Sequence, residues 1–149
     1  MAGEAPNPLL AGDLFDLFRF VCPSFVPADE SQLAEWHDEP IPPYIRVGGL
    51  ARHLIDLASS GRLEAVKPGL DLVERAIEEG DADTRELVIT GLLEDMQNLA
   101  LQTDGAVHLV DLRALLGPKS MTAWDELMRF WHGEAEEARE KLPPGSLPD

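Results

Sequence analysis

Apolar side chains recur along this chain at the three- and four-residue spacing of amphipathic helices, and no segment alternates convincingly as a strand would. Proline and glycine divide the pattern, because proline disfavours helix at the preceding residue and glycine favours helix ends. The pattern predicts about six to seven helices, over residues 9–21, 29–37, 43–59, 68–79, 81–101, 107–116 and 120–132. Helices joined by short turns pack antiparallel, so we expect a compact all-α domain of stacked, HEAT-like helix hairpins.

The chain of 149 residues is long enough for one domain with its own core. We expect this domain over residues 9–132, after a flexible N-terminus of residues 1–8 and before an acidic, partly disordered tail of residues 133–149. The expected core is formed by Leu14, Leu17, Phe18, Leu50, Leu54, Leu57, Val73, Ile77, Leu92, Met96, Leu99, Leu127 and Trp131.

Two details of the helices carry specific expectations. The pair Gly48-Gly49 interrupts the helix 43–59, and each glycine costs about 1 kcal/mol relative to alanine. That cost predicts close packing against a neighbouring backbone. The helix 81–101 has a wide apolar stripe, which predicts a central position. Asp81 or Asp83 is its predicted N-cap, and Asp83 with Glu86 resembles a capping box.

The charge of the chain is strongly negative, because 28 acidic side chains face 12 basic ones and give −16. Such a field opposes binding to nucleic acid or anionic membranes and attracts basic proteins. An acidic surface that only keeps the protein in solution is the alternative, and the sign of the charge does not separate the two. The single cysteine, Cys22, excludes an intrachain disulfide, and residues 1–8 lack the pattern of a signal peptide. A cytoplasmic location is therefore expected.

Catalytic motifs are missing from the sequence. No H-E-x-x-H, C-x-x-C, G-x-S-x-G or P-loop occurs, and the four histidines lack the spacing of a metal pair. The nearest approach to a ligand set is His37-Asp38-Glu39, which we interpret as a solvated acidic turn. Cys22 is expected to be a packed thiol at a helix C-terminus, where the helix dipole disfavours a thiolate. We therefore expect no enzyme activity, no cofactor and no metal.

Two groups of residues are candidates for binding a partner protein. The first surrounds the proline-rich loop and comprises Glu35, Trp36, Asp38, Glu39 and Tyr44. Exposed aromatic side chains beside charges are typical of interface anchors, although Trp36 and Tyr44 are equally suited to pinning the loop onto the helices.

The second group lies in the long helix, where Glu94 and Asp95 are placed between apolar residues. One of these carboxylates should border the buried stripe. A solvated face, or a salt bridge to Arg52 or Arg85, is the alternative to partner contact.

Four short motifs occur in order along the chain: Tyr44-Ile45 with Gly49-Leu50-Ala51, then Gly91-Leu92-Leu93-Glu94-Asp95-Met96-Gln97-Asn98, then Leu116-Gly117-Pro118-Lys119-Ser120, then Trp124-Asp125-Glu126-Leu127 with Phe130-Trp131. As an ordered set they resemble a family of small bacterial helical proteins, some uncharacterised and some assigned as immunity proteins of polymorphic toxin systems. The resemblance covers about residues 9–132 and implies a HEAT-like fold without catalysis. It marks Glu94, Asp95 and Asn98 only as motif positions, and the proline-rich stretch 23–43 and the acidic tail depart from the family.

Two hypotheses follow for function. The first is a non-catalytic immunity-type protein that neutralises a cognate, basic bacterial toxin. The second is an acidic adaptor, regulatory subunit or DNA mimic unrelated to toxins. An enzyme whose class lacks familiar motifs is the least favoured alternative.

Overall fold

A computed structural model describes residues 7–37 and 39–141, with side chains as far as Phe130. Within these residues the chain is helical without any strand, and Leu9 and Gly80 form an isolated parallel bridge. The predicted all-α class is confirmed. The helices are α1 (Ala11–Val21), α2 (Phe25–Glu35), α3 (Pro43–Ser59), α4 (Leu63–Glu79), α5 (Ala82–Glu86), α6 (Glu94–Leu101), α7 (Leu109–Arg113) and α8 (Pro118–Lys141), and a π-helical segment (Leu87–Leu93) joins α5 to α6.

Helix α3 begins and ends where the sequence predicts. Pro43 occupies the first turn, where a missing N–H breaks no helical hydrogen bond, and Gly61 adopts a φ of +77° just beyond the C-terminus. Helix α4 starts at Leu63, so the predicted start at Pro68 is wrong. Val66 is fully buried in this first part of α4, and its burial offsets the hydrogen bond that Pro68 cannot donate.

Three further boundaries differ from the prediction. Helix α2 begins at Phe25 rather than at residue 29, with Pro27 in its first turn. The N-cap of α5 is Asp81, whose carboxylate accepts a hydrogen bond from Thr84 N at 2.9 Å, so the predicted capping box of Asp83 and Glu86 is not formed. Helix α8 continues past residue 132 to Lys141, through the first part of the expected tail; residues 142–149 lie outside the described residues.

Helix α3 lies at the centre of the domain and packs against α2, α4, the π-helical segment and α6. The π-helical segment also contacts α4 and α8, which confirms the central position predicted for the long helix. Of the predicted core, Trp131 lies outside the described side chains and Leu17, Ile77, Leu99 and Leu127 are partly buried against the core. The remaining predicted members are buried: Leu14, Phe18, Leu50, Leu54, Leu57, Val73, Leu92 and Met96.

Two sets of side-chain hydrogen bonds connect helices that are distant in sequence. Asp29 of α2 is fully buried and accepts hydrogen bonds from Arg19 of α1 and Arg46 of α3. Glu74 of α4 accepts hydrogen bonds from the backbone and hydroxyl of buried Ser120, both at 2.8 Å, and thereby caps the start of α8. Asp29 is therefore an internal structural ion and does not contribute to the acidic surface.

Candidate functional site

An open groove of about 400 Å³ runs between α2 and α3. Polar and small residues of both helices line it at helical spacing. On α2 these are Ala28, Ser31, Gln32 and Glu35, and on α3 they are Gly48, Gly49, Arg52, His53 and Asp56. We call this the α2–α3 groove.

Gly48 and Gly49 differ in the space that the fold leaves for a side chain. A Cβ built at Gly49 would lie 2.8 Å from Oε1 of Gln32, so the end of the Gln32 side chain would have to shift to accommodate it. A Cβ at Gly48 would meet only Oδ2 of Asp95, at an ordinary 3.6 Å. The close neighbours of this pair are thus side chains of α2 and α6, and the predicted packing against another backbone is wrong.

The groove carries charges that have no ion-pair partner among the described residues. Glu35, Arg52 and Asp56 are all exposed, and none belongs to the salt bridges of the described part of the chain. His53 Nε2 lies 2.8 Å from Ser24 Oγ, and burial lowers the pKa of His53 despite the opposing charge of Asp56. His53 is therefore neutral at pH 7, and among the described lining residues Arg52 carries the positive charge.

Glu94 and Asp95 lie on the other side of α3, in the first turn of α6, and both are partly buried. Burial raises the pKa of Asp95, and burial together with the negative charge of Asp95 raises the pKa of Glu94. Neither forms a salt bridge within the described part of the chain. Arg85 instead donates to the carbonyl of Gly80 at 3.0 Å, so the alternative of a pair with Arg85 is wrong.

Tyr44 stands in the first turn of α3 and is 49% exposed. Its ring packs over the π-helical segment, where a Cβ on Gly91 would lie 3.3 Å from Tyr44 Cδ1. Since Tyr44 is opposite Gly91 and Gly48 is opposite Asp95, α3 and the long helix run parallel. Tyr44 and Asp95 therefore lie about one helical turn apart along the same seam.

The remaining predicted residues lie at the end of α2, in the loop before α3 and on α6. Glu35 ends α2 and borders the groove, and Trp36 follows it partly buried. Glu39 is exposed in the connecting loop, Asn98 is exposed on α6, and Asp38 lies outside the described residues. The structure thus places Glu35 on one side of α3 and Glu94 and Asp95 on the other. Asp95 adjoins the α2–α3 groove at Gly48, and we call the groove together with Glu94 and Asp95 the acidic face.

Sequence reasoning missed several polar residues of this face. Gln32, His53 and Asp56 received no role, although polar side chains at residues 31, 32 and 35 of α2, and at 52, 53 and 56 of α3, repeat with helical spacing. That periodicity was the available signal, but it indicates only a polar side of each helix. It does not indicate that the two sides face each other.

The described part of the chain contains no group of three or more His, Cys, Asp or Glu side chains arranged to hold a metal ion. No helix in this part has the length and apolar character needed to cross a membrane.

Comparison with other proteins supplies a family. No curated protein and no solved structure matches the chain. One family model matches residues 15–132, which is most of the chain. The protein therefore belongs to the family described as Domain of unknown function (DUF7674).

Proposed function

We propose that this protein is a non-catalytic binding module of the immunity type, which neutralises a basic bacterial toxin in the cytoplasm. The observation that carries the proposal is the pair Glu94 and Asp95. These carboxyls are partly buried, their pKa values are raised, and they have no cationic partner in the described part of the chain. Perturbed groups of this kind cluster at functional sites.

A cationic partner would remove the energetic penalty at these carboxyls. A partly desolvated carboxylate is disfavoured until a positive charge or hydrogen-bond donors compensate it. An Arg or Lys of a docked protein supplies both, and nucleic-acid-cleaving toxins carry such side chains in the clefts that hold their substrate. The net charge of −16 adds a long-range attraction that accelerates the encounter.

Apolar side chains beside the acidic face would slow the dissociation of the docked complex. Tyr44 and Ile45 are 49% and 45% exposed at the start of α3, and partly buried Trp36 precedes them. Aromatic anchors near an interface centre dominate binding energy and act mainly on the dissociation rate. Of these side chains, Tyr44 lies about one helical turn from Asp95, so an anchor and a carboxyl are neighbours there.

An acidic adaptor, regulatory subunit or DNA mimic is the second candidate, favoured by the size of the overall negative charge. The two candidate functions differ in the partner that the protein would bind. An immunity protein binds a toxic domain and protects cells that express it, whereas a DNA mimic binds a DNA-binding protein and releases it from DNA.

The test is capture of the partner from the native host with three forms of the protein. Wild type and an Asp16→Lys control, altered at an exposed acid of α1, should retain the same basic protein. The double variant Glu94→Lys with Asp95→Lys should lose it. Co-expression of wild type, and not of the double variant, should then relieve the toxicity of that protein. An acidic partner, or equal capture by all three forms, would contradict the proposal.

A further inference from the structure

A pocket separate from the α2–α3 groove lies between the start of α3 and α5. It has a volume of about 430 Å³, a size typical of pockets that hold a ligand or a large side chain. Four segments line it, with Ala11 from α1, Pro43 and Tyr44 from α3, Asp83 and Glu86 from α5, and Leu87 from the π-helical segment. We call it the α3–α5 pocket.

The walls of the α3–α5 pocket are apolar. Leu87 is only 2% exposed and lies at its base, and Ala11 and Pro43 complete the apolar lining. Tyr44 is 49% exposed, so it leaves apolar surface accessible within the pocket. Exposed apolar surface of this kind marks interaction sites. An aromatic side chain suits the pocket best, because it can pack offset or edge-on against the Tyr44 ring.

The rim of the α3–α5 pocket is acidic. Asp83 and Glu86 are exposed three residues apart, so they lie on one face of α5, and neither belongs to the salt bridges of the described part of the chain. Arg85 lies between them in sequence but donates to the carbonyl of Gly80 and does not line the pocket. In contrast to the α2–α3 groove, the described lining residues of this pocket include no basic side chain. The charge of the rim is therefore complementary to a basic segment.

The α3–α5 pocket is continuous with the seam that leads to Asp95. Tyr44 lines the pocket, and its ring also packs over Gly91. Asp95 lies about one helical turn further along the same seam. A partner segment that follows this seam would contact both the pocket and the carboxyls on which the proposed function depends.

We infer that the α3–α5 pocket binds an aromatic side chain of the partner that is flanked by lysine or arginine, an inference that rests on the proposed function for the basic character of the partner. The aromatic ring is buried against Tyr44 and Leu87, and the flanking cations lie beside the rim carboxylates. Burial of the ring supplies most of the affinity, because exposed ion pairs contribute little. The rim charges select a basic segment over an acidic one.

The probes are three tripeptides with blocked ends, titrated at physiological salt and followed by amide chemical shifts. Lys-Phe-Lys carries both the ring and the charges, Lys-Ala-Lys carries only the charges, and Glu-Phe-Glu carries the ring with the opposite charge. Lys-Phe-Lys should shift the amides of residues 11, 44, 86 and 87. It should bind tighter by about tenfold or more than Lys-Ala-Lys, which buries no ring, and than Glu-Phe-Glu, which the rim repels.

The matched variants are Asp83→Asn with Glu86→Gln, and Asp13→Asn with Asp16→Asn. Asp13 and Asp16 are exposed on α1, are also three residues apart, and do not line the pocket. Each double variant removes two negative charges, so the long-range attraction to a basic ligand falls equally in both. The rim variant should bind Lys-Phe-Lys about fivefold more weakly, the size expected of two exposed ion pairs, and the α1 variant should stay close to wild type. Melting curves check that both variants remain folded.

Three results would overturn the inference: shifts confined to another surface, Lys-Ala-Lys binding as tightly as Lys-Phe-Lys, or equal weakening by the two double variants. The proposed function fails separately. If the native partner is lost from the Glu94 and Asp95 double variant but binds the rim variant with wild-type affinity, the pocket inference is wrong and the proposed function stands. If Lys-Phe-Lys binds in the pocket as expected but the captured partner is acidic, the proposed function is wrong and the preference of the pocket for a basic segment stands.

Discussion

The substitution Asp29→Asn tests the internal ion cluster on which the position of α3 depends. The Asp29 carboxylate is fully buried and accepts from Arg46 Nε at 2.9 Å, from Arg46 Nη2 at 2.7 Å and from Arg19 Nη1 at 2.8 Å. The Arg46 guanidinium also lies 4.4 Å from the centre of the Phe15 ring. One carboxylate therefore joins α1, α2 and α3.

The expected loss of unfolding free energy follows from these contacts. Removing one partner of a buried ion pair costs about 3–5 kcal/mol, because the remaining charge stays buried. Asparagine keeps one acceptor oxygen, and Arg19 and Arg46 are 24% and 21% exposed, so water can compensate them in part. We therefore expect Asp29→Asn to lower the free energy of unfolding by about 3 kcal/mol at pH 7.

The loss should depend on pH in a defined direction. Burial would raise the pKa of Asp29, but the hydrogen bonds from Arg46 and Arg19 outweigh it and lower the pKa below its ordinary 3.8. A carboxyl with a lowered pKa contributes stability above the unfolded-state pKa and loses it as the pH falls through the folded-state pKa. The difference between wild type and Asp29→Asn should therefore be constant above about pH 5 and shrink below pH 3.8.

Urea unfolding followed by circular dichroism measures this loss, with Glu30→Gln as the matched control. Glu30 also pairs with Arg19 but is 57% exposed, so its loss should be below about 1 kcal/mol. Equal effects of the two substitutions, or an Asp29→Asn protein within about 1 kcal/mol of wild type, would refute the role of the buried cluster.

Two further predictions use the same unfolding assay. Glu74→Ala should lower the free energy of unfolding by about 2–3 kcal/mol, because buried Ser120 loses its hydrogen-bond acceptor and α8 loses its cap. Those hydrogen bonds outweigh burial and lower the pKa of Glu74, so the difference in stability between wild type and variant should shrink below pH 4.5. A difference that does not depend on pH would contradict this. Asp95→Asn should instead raise the free energy of unfolding at pH 7, because burial raises the pKa of Asp95 and the stability of the wild-type protein therefore falls as the pH rises. The gain should vanish below pH 3.8, and a destabilised variant at pH 7 would show that Asp95 has a partner in the fold.

The helical domain was predictable because its signals are local. Pro43 and Gly61 determine the bounds of α3, and both act within one turn of the chain. The start of α4 was not predictable in the same way, since Pro68 marks a local helix start and the burial of Val66 overrides it. The π-helical segment also escaped prediction, because its apolar stripe is equally compatible with an α-helix.

The candidate site was only partly predictable, because it depends on contacts between distant segments. Asp29 belongs to an acidic run in the sequence, and only the fold brings Arg46, 17 residues away, onto its carboxylate. Glu94 and Asp95 were identified from their position between apolar residues, and the structure places them partly buried. The groove beside Gly48 required knowledge of how α2 packs on α3.

The most direct test of the account is the association rate of the captured partner across a salt series, for wild type, Glu94→Lys with Asp95→Lys, and Asp16→Lys. The screening length falls from about 10 Å at 0.1 M to about 3 Å at 1 M salt. We predict that the wild-type association rate falls by about tenfold or more over that range, that the double variant associates slowly at every salt concentration, and that Asp16→Lys follows wild type. An association rate that ignores both salt and the double charge reversal would contradict the claim that the acidic face binds a basic partner.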